Sequence, residues 1–303
     1  MCIRDSPLAR ALPGLARAPF LLLALVAWAI GAAAAYWLPG PVHWDQALLA
    51  LLAAVLAHTA VNSLNEYHDF RSGLDLHTTR TPFSGGSGVL PRHPAWAPPA
   101  LALGLITLLA SIALGLHLVR AGGPAALVLG LVGVLLVTTY TPWLNRTPWL
   151  CLIAPGIGFG PVIVAGTGVV LTGGFDPRLL AASLPMLFLA SNLLLLNQLP
   201  DREADAGVGR RHLPIVIGPR ASLYVFGAGL LAGYASLVLG WLGGLLPAGV
   251  LAGLVTLPLG IVVLRGAWRH HADSARLTPV LGQNVLLVLG TGGLQAAGLF
   301  LST

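Results

Sequence analysis

The sequence predicts an all-α integral membrane protein, a bundle of about nine transmembrane helices, and three observations carry that expectation. Only 9% of the 303 residues are charged while 56% are hydrophobic, and the mean hydropathy is +0.84; ordinary soluble domains are about 25% charged. The apolar residues run in stretches of about twenty, the length at which a helix crosses roughly 30 Å of hydrocarbon. Helices follow from the medium, because lipid offers backbone N–H and C=O groups no outside partner. The third observation is the placement of arginine, which supplies all sixteen basic residues. With the N-terminus in the cytoplasm, every arginine except Arg120 and Arg178 falls on the cytoplasmic side, which sets the orientation and leaves the C-terminus outside.

Residues 1–18 form a cytoplasmic N-terminal segment, whose polar opening "MCIRDS" is unlike the rest and is set aside; 19–303 form one transmembrane domain. The first span, 19–38, lies in "APFLLLALVAWAIGAAAAYWL", long enough to cross and lacking the marks of a cleaved signal. The second, 46–67, runs into a polar cluster. The third and fourth, 97–119 and 122–140, are parted near Arg120. The fifth is 149–171, and the sixth, 179–199, runs into a second polar cluster. The last three are 221–242, 245–265 and 279–301. Longer polar connections occupy 68–96, 200–220 and 266–278, and the 38 glycines, dispersed through the chain, suit close helix packing in lipid. The formal charge of +6 is accounted for by this topology, so it carries no nucleic-acid signal. Cys2 and Cys151 lack the spacing of a disulfide framework or a zinc site.

Of ten acidic residues, six crowd into two short segments on one side: Glu66, Asp69 and Asp75 in "NEYHDFRSGLDLHTTR", and Asp201, Glu203 and Asp205 in "NQLPDREAD". His58, Asn62, Glu66 and Asp69 recur at spacings of four, four and three, so one face of the second helix turns polar as it reaches the interface. Asn65 lies four before Asp69, and Asn197, Asp201 and Asp205 follow at four and four. Two such stripes facing each other repel unless a cation lies between them. All-oxygen ligands suit a hard ion, and Mg²⁺ commonly joins one or two carboxylates to substrate phosphate oxygens. Arg71 and Arg80 beside one stripe, with Arg202, Arg210 and Arg211 beside the other, offer an anion grip. The expected ligand is therefore a metal-chelated diphosphate carrying a long apolar tail. Arg4, Arg10, Arg17, Arg92 and Arg220 read as markers of where helices leave the membrane.

These residues resemble the UbiA-type membrane prenyltransferase superfamily, whose two acidic motifs are similar to "NEYHDFRSGLD" and "DREAD". Within it, "NEYHDFRSGLDLHTTRTPFSGGSGVLP" and "NQLPDREADAGVGRRHLPIVIG" are most similar to the branch acting on 1,4-dihydroxy-2-naphthoate in menaquinone biosynthesis. The resemblance implies a bundle around a central cavity opening near the cytoplasmic side of a bacterial inner membrane. It implies Mg²⁺-dependent transfer of a polyprenyl group from a polyprenyl diphosphate to an aromatic acceptor. By position it implies Asp69, Asp75, Asp201 and Asp205 as catalytic carboxylates and metal ligands, with Glu66 also on the metal. Asn62, Asn65, Asn197, Arg71, Arg80, Arg211 and Tyr140 become substrate contacts. The "GGSGVLP" loop, beside Arg80, is expected to act as a lid.

Four departures stand out. Glu66 replaces the usual Asp, Arg210 the usual Lys, and Pro142 to Pro148, "PWLNRTP", lacks the usual Tyr-Arg-Gly-Leu-Gly-Glu, while His212 replaces Thr. The last two bear on the acceptor more than on the donor. Two further readings stay open: the same fold acting on 4-hydroxybenzoate, homogentisate, haem or chlorophyllide, and an ion-coupled secondary transporter. Transporters place ion sites near the bilayer midplane in broken helices, whereas these acids lie at the interface.

Overall fold

The computed structural model describes the backbone of residues 7–302 and side chains from residue 11 onward; "MCIRDS" lies outside the described residues. Among them every regular element is helical. In order these are α1 (Pro7–Leu15), a turn at Ala18–Leu21 opening into α2 (Leu22–Trp37), α3 (Ala47–Arg71), the short α4 (Leu74–His77) and α5 (Val89–Arg92), and α6 (Ala97–Thr139). Then come α7 (Pro148–Ile157), α8 (Gly166–Thr172), α9 (Pro177–Gly207), the short α10 (Leu213–Val216), α11 (Pro219–Leu242), α12 (Leu257–His270) and α13 (Ser274–Phe300).

Among the described residues eight helices are long and apolar enough to cross a membrane. One of them, Pro94–Thr139, runs for 46 residues; at 1.5 Å per residue that is about 69 Å, twice the hydrocarbon thickness. It is broken at Gly123, whose φ of 62° and ψ of −153° are not helical, and Pro124 follows. Leu108, Ile112 and Val119 from the first limb line the same groove, of about 180 Å³, as Leu127, Leu131 and Val137 from the second. The two limbs therefore face one groove, so that among the described residues the eight long helices read as nine segments, with the break at Gly123, three residues beyond Arg120.

The structure differs from expectation in local geometry. The fifth segment is not one α-helix: between α7 and α8, Gly158–Ala165 is π-helical. Pro155 and Pro161 lack the N–H groups that an α-ladder needs there. The eighth segment opens as a 3₁₀ stretch, Ala248–Thr256, before α12. The N-terminal segment and the polar connections also hold α1, α4, α5 and α10. Two helix starts are set by capping carboxylates: Asp176 accepts from Arg178 N at 2.8 Å, and Asp273 from Arg276 N at 3.1 Å.

In α9, the innermost helix, 72% of the most apolar window is buried, against 22% to 50% for the other spans. Leu189 and Leu196 from it meet Phe226 and Leu237 of α11 and Leu281 and Val288 of α13 in one core cluster. Leu, Ile and Val side chains such as Ile106, Leu109, Leu231, Val255 and Leu286 stay exposed on the outer face, as lipid contact requires. Glycines let α13 approach the 3₁₀ stretch: a Cβ on Gly249 would lie 2.1 Å from the Gly298 carbonyl oxygen, and backbone cannot retreat. Gly249→Ala is expected to cost about 1–3 kcal/mol, read as a lower unfolding temperature in detergent. Gly130→Ala, which meets nothing within 4 Å, is expected to be neutral or better.

Candidate active site

The C-terminal ends of α3 and α9 and the connections that follow them enclose a cavity of about 190 Å³. Asp69 sits in the last turn of α3, and Asp75 on α4. Asn197, Asp201 and Asp205 share one face of α9, because residues four apart stack along a helix. All five line the cavity, as do Asn62, Asn65 and Tyr140. Arg71, Arg80 and Arg211 do not line it; all three are exposed. The guanidiniums that do enter are Arg17 and Arg210.

Arg210 lies between the two stripes. Its Nη1 donates to Asp205 Oδ1 at 2.8 Å, and its Nη2 to Asp69 Oδ1. Asp69 also accepts from Asn65 Nδ2 at 3.0 Å, and Asp205 Oδ2 is 2.9 Å from His212 Nε2. Burial opposes a charge on Arg210, but Asp69 and Asp205 outweigh it and hold the guanidinium firmly protonated. The cation expected between the stripes is thus supplied in part by the chain itself.

Glu66 is fully buried and both its oxygens are occupied. Oε1 accepts from Arg17 Nε at 2.7 Å and Ser87 N at 2.8 Å, and Oε2 from Ser87 Oγ at 2.6 Å. Arg17, read from sequence as a boundary marker, is instead a cavity residue whose side chain is only 22% exposed. Its backbone takes up φ 49°, the one positive value outside glycine among the described residues. The glycine loop joins the two motifs: Ser87 binds Glu66, and Gly85 N donates to Asp201 Oδ2 at 2.9 Å. Gly86 lets the loop lie against Asp75, whose Oδ1 would be 2.8 Å from a Cβ there.

Within the two acidic motifs three oxygens are left over. Asp75 Oδ2, Asn197 Oδ1 and Asp201 Oδ1 are buried without a hydrogen-bond partner, and buried polar atoms are seldom left so. Burial, then the carboxylates of Glu66 and Asp69, push Asp75 up to about 7. Burial likewise raises the Tyr140 phenol well above 10.0, so it stays protonated; its hydroxyl lies 3.9 Å from Cys151 Sγ. Asn62 Nδ2 donates to the Ala16 carbonyl at 3.0 Å, tying down the turn that carries Arg17. Among the described residues no three carboxylate, imidazole or thiol side chains converge to hold a metal unaided. The unpaired oxygen set therefore fits Mg²⁺ in the mode that takes one or two carboxylates and completes its shell from a phosphate.

Sequence spacing could not have singled out Arg17, which is 49 positions from Glu66, nor preferred Arg210 to Arg211. Position along a helix predicts a face; it does not predict which loop residue folds back onto that face.

Comparison with known proteins agrees with this architecture. The chain is 27% identical over 190 residues to a 1,4-dihydroxy-2-naphthoate octaprenyltransferase of Bacillus subtilis, covering 62% of this chain and 60% of that protein. It is 28% identical over 213 residues to a protein of that name from Haemophilus influenzae, covering 67% and 68%. It is 23% identical over 290 residues, 92% and 90%, to a 2-carboxy-1,4-naphthoquinone phytyltransferase of Synechocystis. The fold is that of an apo UbiA homologue from Aeropyrum pernix (TM-score 0.67, 19% identity, 90% of this chain and 96% of that one). It is shared by an Archaeoglobus fulgidus UbiA homologue solved with DMAPP and Mg²⁺ (TM-score 0.62, 17% identity, 94% and 98%). Residues 22–287 match the UbiA prenyltransferase family, and the chain belongs to that family.

Proposed function

We propose that this protein transfers a polyprenyl group from a prenyl diphosphate, held with Mg²⁺, to an aromatic acceptor, namely 1,4-dihydroxy-2-naphthoate. The observation that carries this reading is the division of labour in the cavity: three unpaired oxygens on Asp75, Asn197 and Asp201 suit a hard cation, and Arg17 and Arg210 suit the anion it brings. The naphthoate acceptor is supported by the names of the relatives from Bacillus and Haemophilus. The prenyl diphosphate is supported by the ligand of the Archaeoglobus homologue. The protein acts in a bacterial inner membrane with the cavity toward the cytoplasm, the side its arginines mark.

Asp75, Asn197 and Asp201 would hold the metal, and the metal when bound neutralises charge building on the diphosphate as the carbon–oxygen bond breaks. Arg17 and Arg210, already charged and fixed by Glu66, Asp69 and Asp205, add preorganised positive potential at the same place. Leu23, Phe159 and Leu193 line the same cavity and keep water from the allylic carbon while it is electron-poor. Glu66, with no oxygen free, serves to hold Arg17 and the glycine loop, and Asp69 and Asp205 serve to position Arg210.

The test is product mass spectrometry on purified protein given Mg²⁺, a polyprenyl diphosphate and a panel of aromatic acceptors; absence of any prenylated arene would sink the proposal. A pH series adds a sharper expectation. Asp75, raised to about 7, holds its proton at lower pH, and a cation must displace that proton. The Asp75 contribution to Mg²⁺ affinity is therefore expected to fall by up to about tenfold per pH unit below 7 and to level off above it. The sign for the metal-free protein is opposite: the raised value favours the folded state at low pH, and this contribution is lost as pH rises through 7.

A further inference from the structure

We propose that His212 and Asn145 form the recognition site for a hydroxyl group of the aromatic acceptor, an inference that rests on the prenyl-transfer reading above. Both residues belong to segments that part from the resemblance: Asn145 lies in "PWLNRTP", and His212 stands where Thr is usual. The fold brings these separate departures together. Arg211 N donates to the Asn145 carbonyl at 3.0 Å, which places Asn145 against the residue before His212. Both side chains line the cavity that holds the acidic motifs.

Each carries a buried polar atom without a partner, Asn145 Oδ1 and His212 Nδ1, in side chains of residues only 5% and 1% exposed. The contact of His212 Nε2 with Asp205 at 2.9 Å fixes the ring. With Nε2 carrying the hydrogen that Asp205 accepts, Nδ1 presents a lone pair. Asn145 Oδ1 is an acceptor in the same sense. Two buried acceptors lining one cavity are complementary to O–H donors and mismatched to diphosphate oxygens, which only accept. A diphosphate thus belongs with Arg17 and Arg210, and a phenolic hydroxyl with His212 and Asn145. A site built to bind a hydroxyl also rejects the analogue lacking it, since its own polar atoms are then left unpaired.

The experiment measures binding of two arenes, 1,4-dihydroxy-2-naphthoate and 1-hydroxy-2-naphthoate, by calorimetry on full-length protein loaded with Mg²⁺ and a prenyl thiolodiphosphate. The wild type is expected to prefer the dihydroxy compound by about ten- to hundredfold, the worth of one buried hydrogen bond. In His212→Phe and Asn145→Leu that preference should collapse, while affinity for the thiolodiphosphate is kept. His212→Gln retains an N–H for Asp205 and carries the test if the phenylalanine variant fails to bind donor; it should restore part of the preference. A merely structural role for His212 would weaken both arenes equally, and that result overturns the proposal, as does a wild type without preference. Product formation is scored separately: prenylated arene with an unchanged preference in the variants sinks this inference alone, whereas no arene binding and no product sinks the functional reading with it.

Discussion

Asp201→Asn is expected to lower kcat/KM for prenyl transfer by about 10³-fold, the scale on which removal of one preorganised charge-stabilising group acts, here with a metal ligand at stake. The substitution is a narrow one. Asp201 Oδ2 accepts from Gly85 N, and the carbonyl oxygen of asparagine can keep that bond, so the glycine loop stays anchored to α9. What changes is the other position, where an unpaired anionic oxygen becomes an amide N–H₂ that repels a cation. Asp75→Asn, which alters another unpaired oxygen, is expected to have an effect of the same order. Glu66→Gln differs in kind: it leaves Arg17 buried beside a neutral partner, and breaking such a pair costs about 3–5 kcal/mol. That loss should appear in the unfolding temperature, with the Mg²⁺ concentration for half-maximal activity nearly unmoved. Assays across Mg²⁺ concentrations separate the two classes. Full activity in both Asp201→Asn and Asp75→Asn would remove the metal assignment.

The contrast between these residues marks where sequence reasoning ends. The polar face of α3 and the spacing of Asn197, Asp201 and Asp205 on α9 follow from helical period and apolar length, so both stripes and their meeting in one cavity were legible. The assignment of individual oxygens was not. Glu66 and Asp69 lie on one stripe, yet Glu66 faces Ser87 and Arg17 while Asp69 faces Arg210. That choice is made by two irregular segments, the turn at Arg17 and the loop at Gly85 to Gly88, whose paths depend on tertiary contacts. The same holds for the arginines: Arg71, Arg80 and Arg211 stand beside the acidic motifs in sequence, but none lines the cavity, and the Arg80 guanidinium lies against Gly88 of the glycine loop. The long break in α6 was foreseen as a boundary between spans, while the π-helical turn was not, because proline predicts an interrupted ladder without saying how the chain repairs it.

Arg210→Met tests the claim that the chain supplies its own counter-cation. Asp69 and Asp205 are nearly buried, with side chains 7% and 4% exposed, and the guanidinium between them is the group that offsets their mutual repulsion. Its removal leaves two uncompensated carboxylates in a low-dielectric cavity, and the folded state should lose about 3–5 kcal/mol. The instructive measurement is what Mg²⁺ alone then does to the unfolding temperature. In the wild type, Arg210 already holds Asp69 and Asp205, so a free divalent ion finds mainly Asp75, Asn197 and Asp201, and it should stabilise little without diphosphate. In Arg210→Met the gap between the stripes is open to the ion, and Mg²⁺ should stabilise the variant more than it does the wild type, because only the folded state presents the paired site. Activity should nonetheless stay low, since a second bound cation does not reproduce a guanidinium donating to phosphate oxygens in fixed geometry. Arg210→Lys, which restores the charge without the fork, should recover stability more fully than turnover. If Mg²⁺ stabilised both proteins equally, Arg210 and the metal would occupy independent sites, and the positioning role given to Asp69 and Asp205 would fall.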